Sequence, residues 1–234
     1  NYHHNSLINL LLLKDRRLFP IHRLDRLTSG LVVLAKTSES AKVWSKAMVD
    51  RNCQKIYLAR VRGRFGASLV QSDSIPRLSS MQPPPLHGEW SDDDDETTAA
   101  TAVVRKRKNN AHGYWFTDSA GNKRDDVALN DFAKKEHTVD EILFSLDSKS
   151  SSDDAVWLNL ACPVRVQDPK KLVCEAGTFA DLDDTKKKKT VKAAHTLFAV
   201  VTYNEKDDST LLLVRPTTGR THQIRIHLQY LGHC

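Results

Sequence analysis

His22-Arg23-Leu24-Asp25-Arg26-Leu27-Thr28-Ser29-Gly30-Leu31 is the stretch on which the reading of the chain turns. Opposite charges lie side by side in its first half, and a small polar turn follows. The apolar run Leu31-Val32-Val33-Leu34-Ala35 comes next. Its length and valine content predict a buried strand. Carboxylates are seldom tolerated beside buried strands unless they are paired. Asp25 is therefore either held by a cation or is an ordinary loop acid, and its neighbours leave both open.

Working outward, residues 1–74 read as the first part of a folded domain. Residues 5–13 have the pattern of a short helix or strand. Thr37 is placed to N-cap a helix over 38–50. Ala41, Trp44, Ala47 and Met48 share one face of that helix and are expected in the core. The alternation over 56–61 predicts a strand with Tyr57, Ala59 and Val61 on one face.

Composition changes after Val70. A Pro83-Pro84-Pro85 run, an acidic run at 92–96 and the basic run Arg105-Lys106-Arg107-Lys108 bury little apolar surface. They cannot offset their ordering entropy. Residues 75–154 are expected to be a largely disordered, low-complexity insertion. Inside it, Gly113-Tyr114-Trp115-Phe116 and the amphipathic stretch 140–146 have the patterning to order. Residues 155–234 read as the second part of the domain. Strands are expected at 156–160 and 163–166, and a hairpin from 195–203 and 211–215 around a polar turn. Thr221 is placed to cap a final helix starting at His222, with Ile224, Leu228 and Leu231 on its core face.

The 234 residues suffice for a sizeable core, and 40% hydrophobic with 27% charged residues is ordinary for a globular protein. The formal charge of +6 points to an anionic partner, nucleic acid before membrane. No apolar run approaches the roughly 20 residues of a membrane span. The four cysteines form no C-x-x-C pair and are expected as reduced thiols in a cytosolic or nuclear setting, with a mitochondrial one also compatible. No common metal-ligand spacing is present, and no signal peptide is expected at the start of the sequence.

A second constellation lies near the end. Gly219-Arg220-Thr221-His222-Gln223-Ile224-Arg225 gathers side chains suited to anions or bases in one helical turn. Arg225 follows Ile224 and can lean toward the interior, which makes it a candidate partner of Asp25. Periodicity alone does not establish that pairing.

Four ordered motifs carry a resemblance. His22-Arg23-Leu24-Asp25-x-x-Thr28-Ser29-Gly30-Leu31 with Ala35-Lys36 resembles the catalytic motif of the RluA-type pseudouridine synthases. Lys55-x-Tyr57-x-Ala59-x-Val61-x-Gly63, then Lys192-x-Ala194-x-Thr196-x-Phe198, then Thr218-Gly219-Arg220-Thr221-His222-Gln223-Ile224-Arg225 resemble its later motifs in order. Val166-x-Asp168-Pro169-Lys170-x-x-x-Cys174-Glu175 is similar to the eukaryotic branch.

The resemblance implies a mixed α/β (α+β) catalytic domain with a large central, mostly antiparallel sheet flanked by helices. It implies isomerisation of uridine in RNA to pseudouridine without cofactor or metal. The expected partner is RNA, tRNA first and rRNA or mRNA behind it, with no membrane and a monomeric protein. Asp25 matches the essential aspartate, Tyr57 the tyrosine that packs on the target uracil, and Arg225 the arginine that pairs with the aspartate. Arg23 matches the arginine that enters the RNA stack, and Lys55, Arg220, His222 and Gln223 are expected RNA contacts. The family carries an earlier strand and later strands, so the resemblance implies a part of the domain. The alternative expectation is an RNA-binding protein without turnover.

Physical chemistry is consistent with these roles. A target atom inside a stacked helix is unreachable until its nucleotide flips out, at a cost of about a few kcal/mol. A planar guanidinium can fill the vacated space. An aromatic ring holds the flipped base, worth roughly 1–3 kcal/mol by stacking.

Overall fold

The computed structural model describes residues 6–12, 17–50, 52–67, 69, 75, 77–78, 113–147, 155–168, 173–178, 181 and 190–233. The acidic run at 92–96, the basic run at 105–108, the lysine run at 186–189 and Cys234 lie outside the described residues. The chain divides into two compact units, Asn1–Gln54 and Lys55–Cys234.

In the first unit, helix α1 (Leu7–Leu12) precedes a short antiparallel ribbon of β1 (Phe19–Pro20) and β2 (Leu34–Ala35). Helix α2 (Ser38–Val49) packs on that ribbon. Thr37 is its N-cap, and the Thr37 Oγ1 accepts from the Ser40 N–H at 3.1 Å, as the sequence predicts. Two expectations change here. The strand covers only Leu34–Ala35, and Leu31 is 90% exposed. The reason is local: the Val33 N–H donates to the His22 imidazole, not to a strand. Trp44 is half exposed and α2 has no buried residue, because Ala35 is the one buried residue described in this unit.

The second unit is built on a five-stranded antiparallel sheet in the order β3-β10-β9-β5-β4. Its strands are β3 (Tyr57–Arg62), β4 (Gly113–Thr117), β5 (Trp157–Ala161), β9 (His195–Asn204) and β10 (Ser209–Pro216). The large antiparallel sheet is the one the sequence predicts, and β9–β10 is the expected hairpin. Gly63 ends β3 at φ +77, a conformation that favours glycine, and its N–H donates to the Asp208 carbonyl at 2.7 Å.

Both sheet faces are covered. On one, Val61, Phe116, Leu158, Phe198, Leu212 and Val214 pack with Leu228 and Leu231 of helix α5 (Gln223–Tyr230). Phe132 of helix α3 (Leu129–Lys134) joins that core against Phe65 and Phe116. On the other, Trp157, Leu197, Ala199 and Leu213 meet Ile142 of helix α4 (Val139–Asp147). A three-stranded sheet, β7-β6-β8, is formed by β6 (Val164–Asp168), β7 (Val173–Ala176) and β8 (Val191–Lys192). It adds Val164 and Ala194 against Ile226 of α5. Among the described residues no helix is long and apolar enough to cross a membrane.

Inside the predicted insertion, order covers the two stretches expected at 113–116 and 140–146 and extends over the whole of 113–147. The β4 strand is a sheet member buried along its whole length. The Leu78 N–H donates to the Tyr114 carbonyl at 2.8 Å, and the Arg77 guanidinium lies 5.2 Å from the Phe116 ring centroid. Three consecutive aromatics bury area on both sheet faces, and that local gain outweighs a composition averaged over a polar segment. Replacing Phe116 by alanine is therefore expected to lower stability by about 3–5 kcal/mol in urea unfolding. A loss under about 1 kcal/mol would place β4 outside the cooperative fold.

Candidate active site

The Asp25 loop is closed by its own backbone. The Ile21 N–H donates to the Val33 carbonyl at 3.4 Å, and the Val33 N–H donates to His22 Nε2 at 3.1 Å. That bond leaves the His22 proton on Nδ1 and ties the ring to the base of the loop. Inside it, the Thr28 N–H donates to the Asp25 carbonyl at 2.9 Å, closing a turn over Arg26 and Leu27. Asp25 is half-buried at the start of this turn, and Arg23 is exposed two residues before it. Gly30, at φ +143, supplies a backbone angle that side-chain-bearing residues rarely adopt.

The second half of the predicted site lies in the other unit. Tyr57 is half-buried on the core-facing side of β3, opposite Val214 of β10. Two residues after Val214, β10 ends and the turn 217–222 begins. Lys55 comes to the same turn: a Cβ placed on Gly219 would lie 3.9 Å from Lys55 Nζ. The Arg220 Nε donates to the Ala193 carbonyl at 2.9 Å, which anchors the half-buried guanidinium stem.

Residues 217–230 and 55–63 contain no Asp or Glu. The basic side chains here face no carboxylate of their own segments, and a helix N-terminus adds partial positive charge. The arrangement attracts anions.

Gln223 is read from the sequence as an RNA contact, and the structure gives it different work. Its side chain is 4% exposed. Oε1 accepts from the Thr218 hydroxyl at 2.7 Å and from the Arg220 N–H at 3.0 Å. Nε2 donates to the His195 carbonyl and to Thr196 Oγ1, each at 2.9 Å. Both acceptor positions and both donors are used, which leaves none for a ligand. The helix cap also differs from expectation. The residue preceding α5 is His222, in the left-handed region at φ 55, with no side-chain cap bond, and Thr221 is exposed. Gln223 reaching back to the Arg220 N–H takes over part of what a cap would do.

Arg225 does not lean inward. Ile224 packs toward the large sheet and Ile226 toward the small one, so Arg225 between them is exposed. Asp25 and Arg23 belong to the first unit, whereas Tyr57, Lys55, Arg220, His222 and Arg225 belong to the second. Among the described residues no group of three or more His, Cys, Asp or Glu is placed to hold a metal ion.

Two buried histidines beneath this site escape sequence reasoning. His195 Nδ1 lies 2.9 Å from the Thr217 hydroxyl, and its ring stacks on Trp115 at 5.3 Å. His227 donates from Nε2 to the Cys162 carbonyl at 2.8 Å. A usable signal is a histidine opening a long apolar strand or lying on the core side of an amphipathic helix. Burial, with the His227 and Arg215 charges adding to it, pushes the His195 imidazole down to about 3. Burial pushes His227 down to about 4 against the bond to Cys162.

The unfolded chain therefore binds more protons than the native one between about pH 4 and 6.5. Stability rises with pH across that window and is lost as pH falls through it. The urea midpoint is expected to drop from pH 6.5 to 4, less steeply in a His227→Gln variant. Equal slopes in wild type and variant would contradict a buried, neutral His227.

A family model described as RNA pseudouridylate synthase matches residues 2–159 and 169–230. The tRNA pseudouridine(31) synthase of Saccharomyces cerevisiae is 29% identical over 233 residues, covering 99% of this chain and 38% of that protein. Pseudouridylate synthase RPUSD2 of Homo sapiens is 24% identical over 234 residues, covering 99% of this chain and 24% of that protein. The solved structure of Human RNA Pseudouridylate Synthase Domain Containing 1 aligns with 97% of this chain and 56% of its own at TM-score 0.49 and 15% identity. The chain thus spans about a quarter to two fifths of the length of these curated relatives. It belongs to the RNA pseudouridylate synthase family.

Proposed function

We propose that this chain carries the catalytic part of an RNA uridine isomerase that converts uridine to pseudouridine, with tRNA as the substrate. The observation that carries the reading is the family match, which spans both the Asp25 loop and the Arg225 helix. The similarity to the tRNA pseudouridine(31) synthase of yeast supports tRNA over other RNAs. The reaction gains and loses no atoms: the N1–C1′ bond breaks, the uracil rotates, and a C5–C1′ bond forms while the C5 proton leaves and N1 is protonated.

In this reading the target nucleotide leaves its stack and Arg23 fills the gap. Tyr57 holds the uracil by its ring face. Asp25 acts as nucleophile or base, and Arg225 is the cation that supports it in the reaction. Lys55, Arg220 and His222 hold phosphates and set the register of the RNA. The enzyme works as a monomer, and its thiols suit a cytosolic or nuclear setting.

Two variants test these roles on tRNA under single-turnover conditions. Asp25→Asn is expected to bind tRNA and form no pseudouridine. Arg225→Ala is expected to lose about 100-fold in rate with tRNA affinity changed about threefold or less. Turnover by Asp25→Asn would remove the aspartate from the chemistry. Equal losses of rate and affinity in Arg225→Ala would make Arg225 a phosphate contact.

A further inference from the structure

The turn that precedes α5 is an improbable piece of backbone. A non-glycine residue, His222, stands in the left-handed region, and no side chain caps the helix in the ordinary way. One cluster of buried polar atoms spans the turn. The Thr218 hydroxyl accepts from the His195 N–H at 3.0 Å and donates to Gln223 Oε1 at 2.7 Å. The same Oε1 takes the Arg220 N–H, while Nε2 reaches across to His195 and Thr196 of β9. Thr218 and Gln223 are both about 5% exposed or less, so neither touches a ligand.

We infer that Thr218 and Gln223 are positioning residues that clamp the turn 217–222 to the start of β9 and so fix where the first turn of α5 presents Arg225. This rests on the reading that Arg225 acts in uridine isomerisation. The turn 217–222, strand β9 and the helix start share one buried amide, so rotation of the helix start requires several of these bonds to break together. The backbone that carries Arg225, two residues beyond that amide, inherits its fixed position. Binding of RNA phosphates by Lys55 and Arg220 depends less on this clamp, because Arg220 has its own anchor on Ala193.

The test uses the whole protein with Thr218→Val, which keeps shape and removes the hydroxyl, and Thr218→Ser, which restores it. Single-turnover pseudouridine formation on tRNA is expected to fall about tenfold or more in the valine variant with affinity within about twofold, and to return with serine. Hydrogen exchange supplies a readout independent of turnover. The His195 and Arg220 amides are expected to exchange about tenfold faster in the valine variant, with the Ala199 and Leu213 amides unchanged. An unchanged rate, a matched loss of affinity, or unchanged exchange at Arg220 each overturns the inference. So does faster exchange across the whole sheet, which would make Thr218 merely structural. Wild-type protein that forms no pseudouridine would sink the functional reading instead, and the exchange arm would still decide the clamp.

Discussion

A buried primary amide must find two donors' worth of acceptors and two acceptors' worth of donors, or it destabilises the fold by about 1–3 kcal/mol per orphaned group. Gln223 meets that requirement with Thr218, Arg220, His195 and Thr196. The turn that follows one central strand, the start of its neighbour and the start of α5 are joined through that single side chain. An apolar residue of the same length would break four bonds at once and leave the buried Thr218 hydroxyl without its acceptor, while the His195 carbonyl would keep the Thr217 N–H at 3.1 Å. The second unit's contribution to the site depends on this constraint, because the turn carries its cations and the helix carries Arg225.

Along the helix, Ile224, Ile226, Leu228 and the buried His227 serve two sheets, leaving Arg225 outside. The Asp25 loop is organised differently, by an imidazole that accepts from the backbone at its base. Each of these segments is thus tied at its root by hydrogen bonds to the backbone and exposed at its tip.

Much of this was legible in the sequence, for physical reasons that differ by element. Alternation over 56–61 and the polar turn between two apolar runs fixed β3 and the β9–β10 hairpin, because pleat period and turn chemistry are local. Thr37 as a cap is local as well. The aromatic run of β4 stood out from its polar surroundings, whereas the short helix at 129–134, which joins the core through Phe132, carried no such local signal. The run at 31–35 misled because valine content cannot tell that the Val33 N–H goes to His22. Gln223 was misread as a contact because a motif gives residue types, and only the fold tells which polar groups its amide meets. Arg225 faces outward because the small sheet claims Ile226, a long-range fact that helical periodicity does not contain.

Under the proposed function, this chain belongs to an enzyme that rearranges a glycosidic bond using an aspartate and no metal. Position-resolved pseudouridine mapping of tRNA incubated with the wild-type protein in excess chelator is the decisive experiment. Pseudouridine is expected at a defined uridine, at the same rate with and without chelator. Saturable tRNA binding with no pseudouridine formed, or formation abolished by chelator and restored by added metal, would contradict the proposed function.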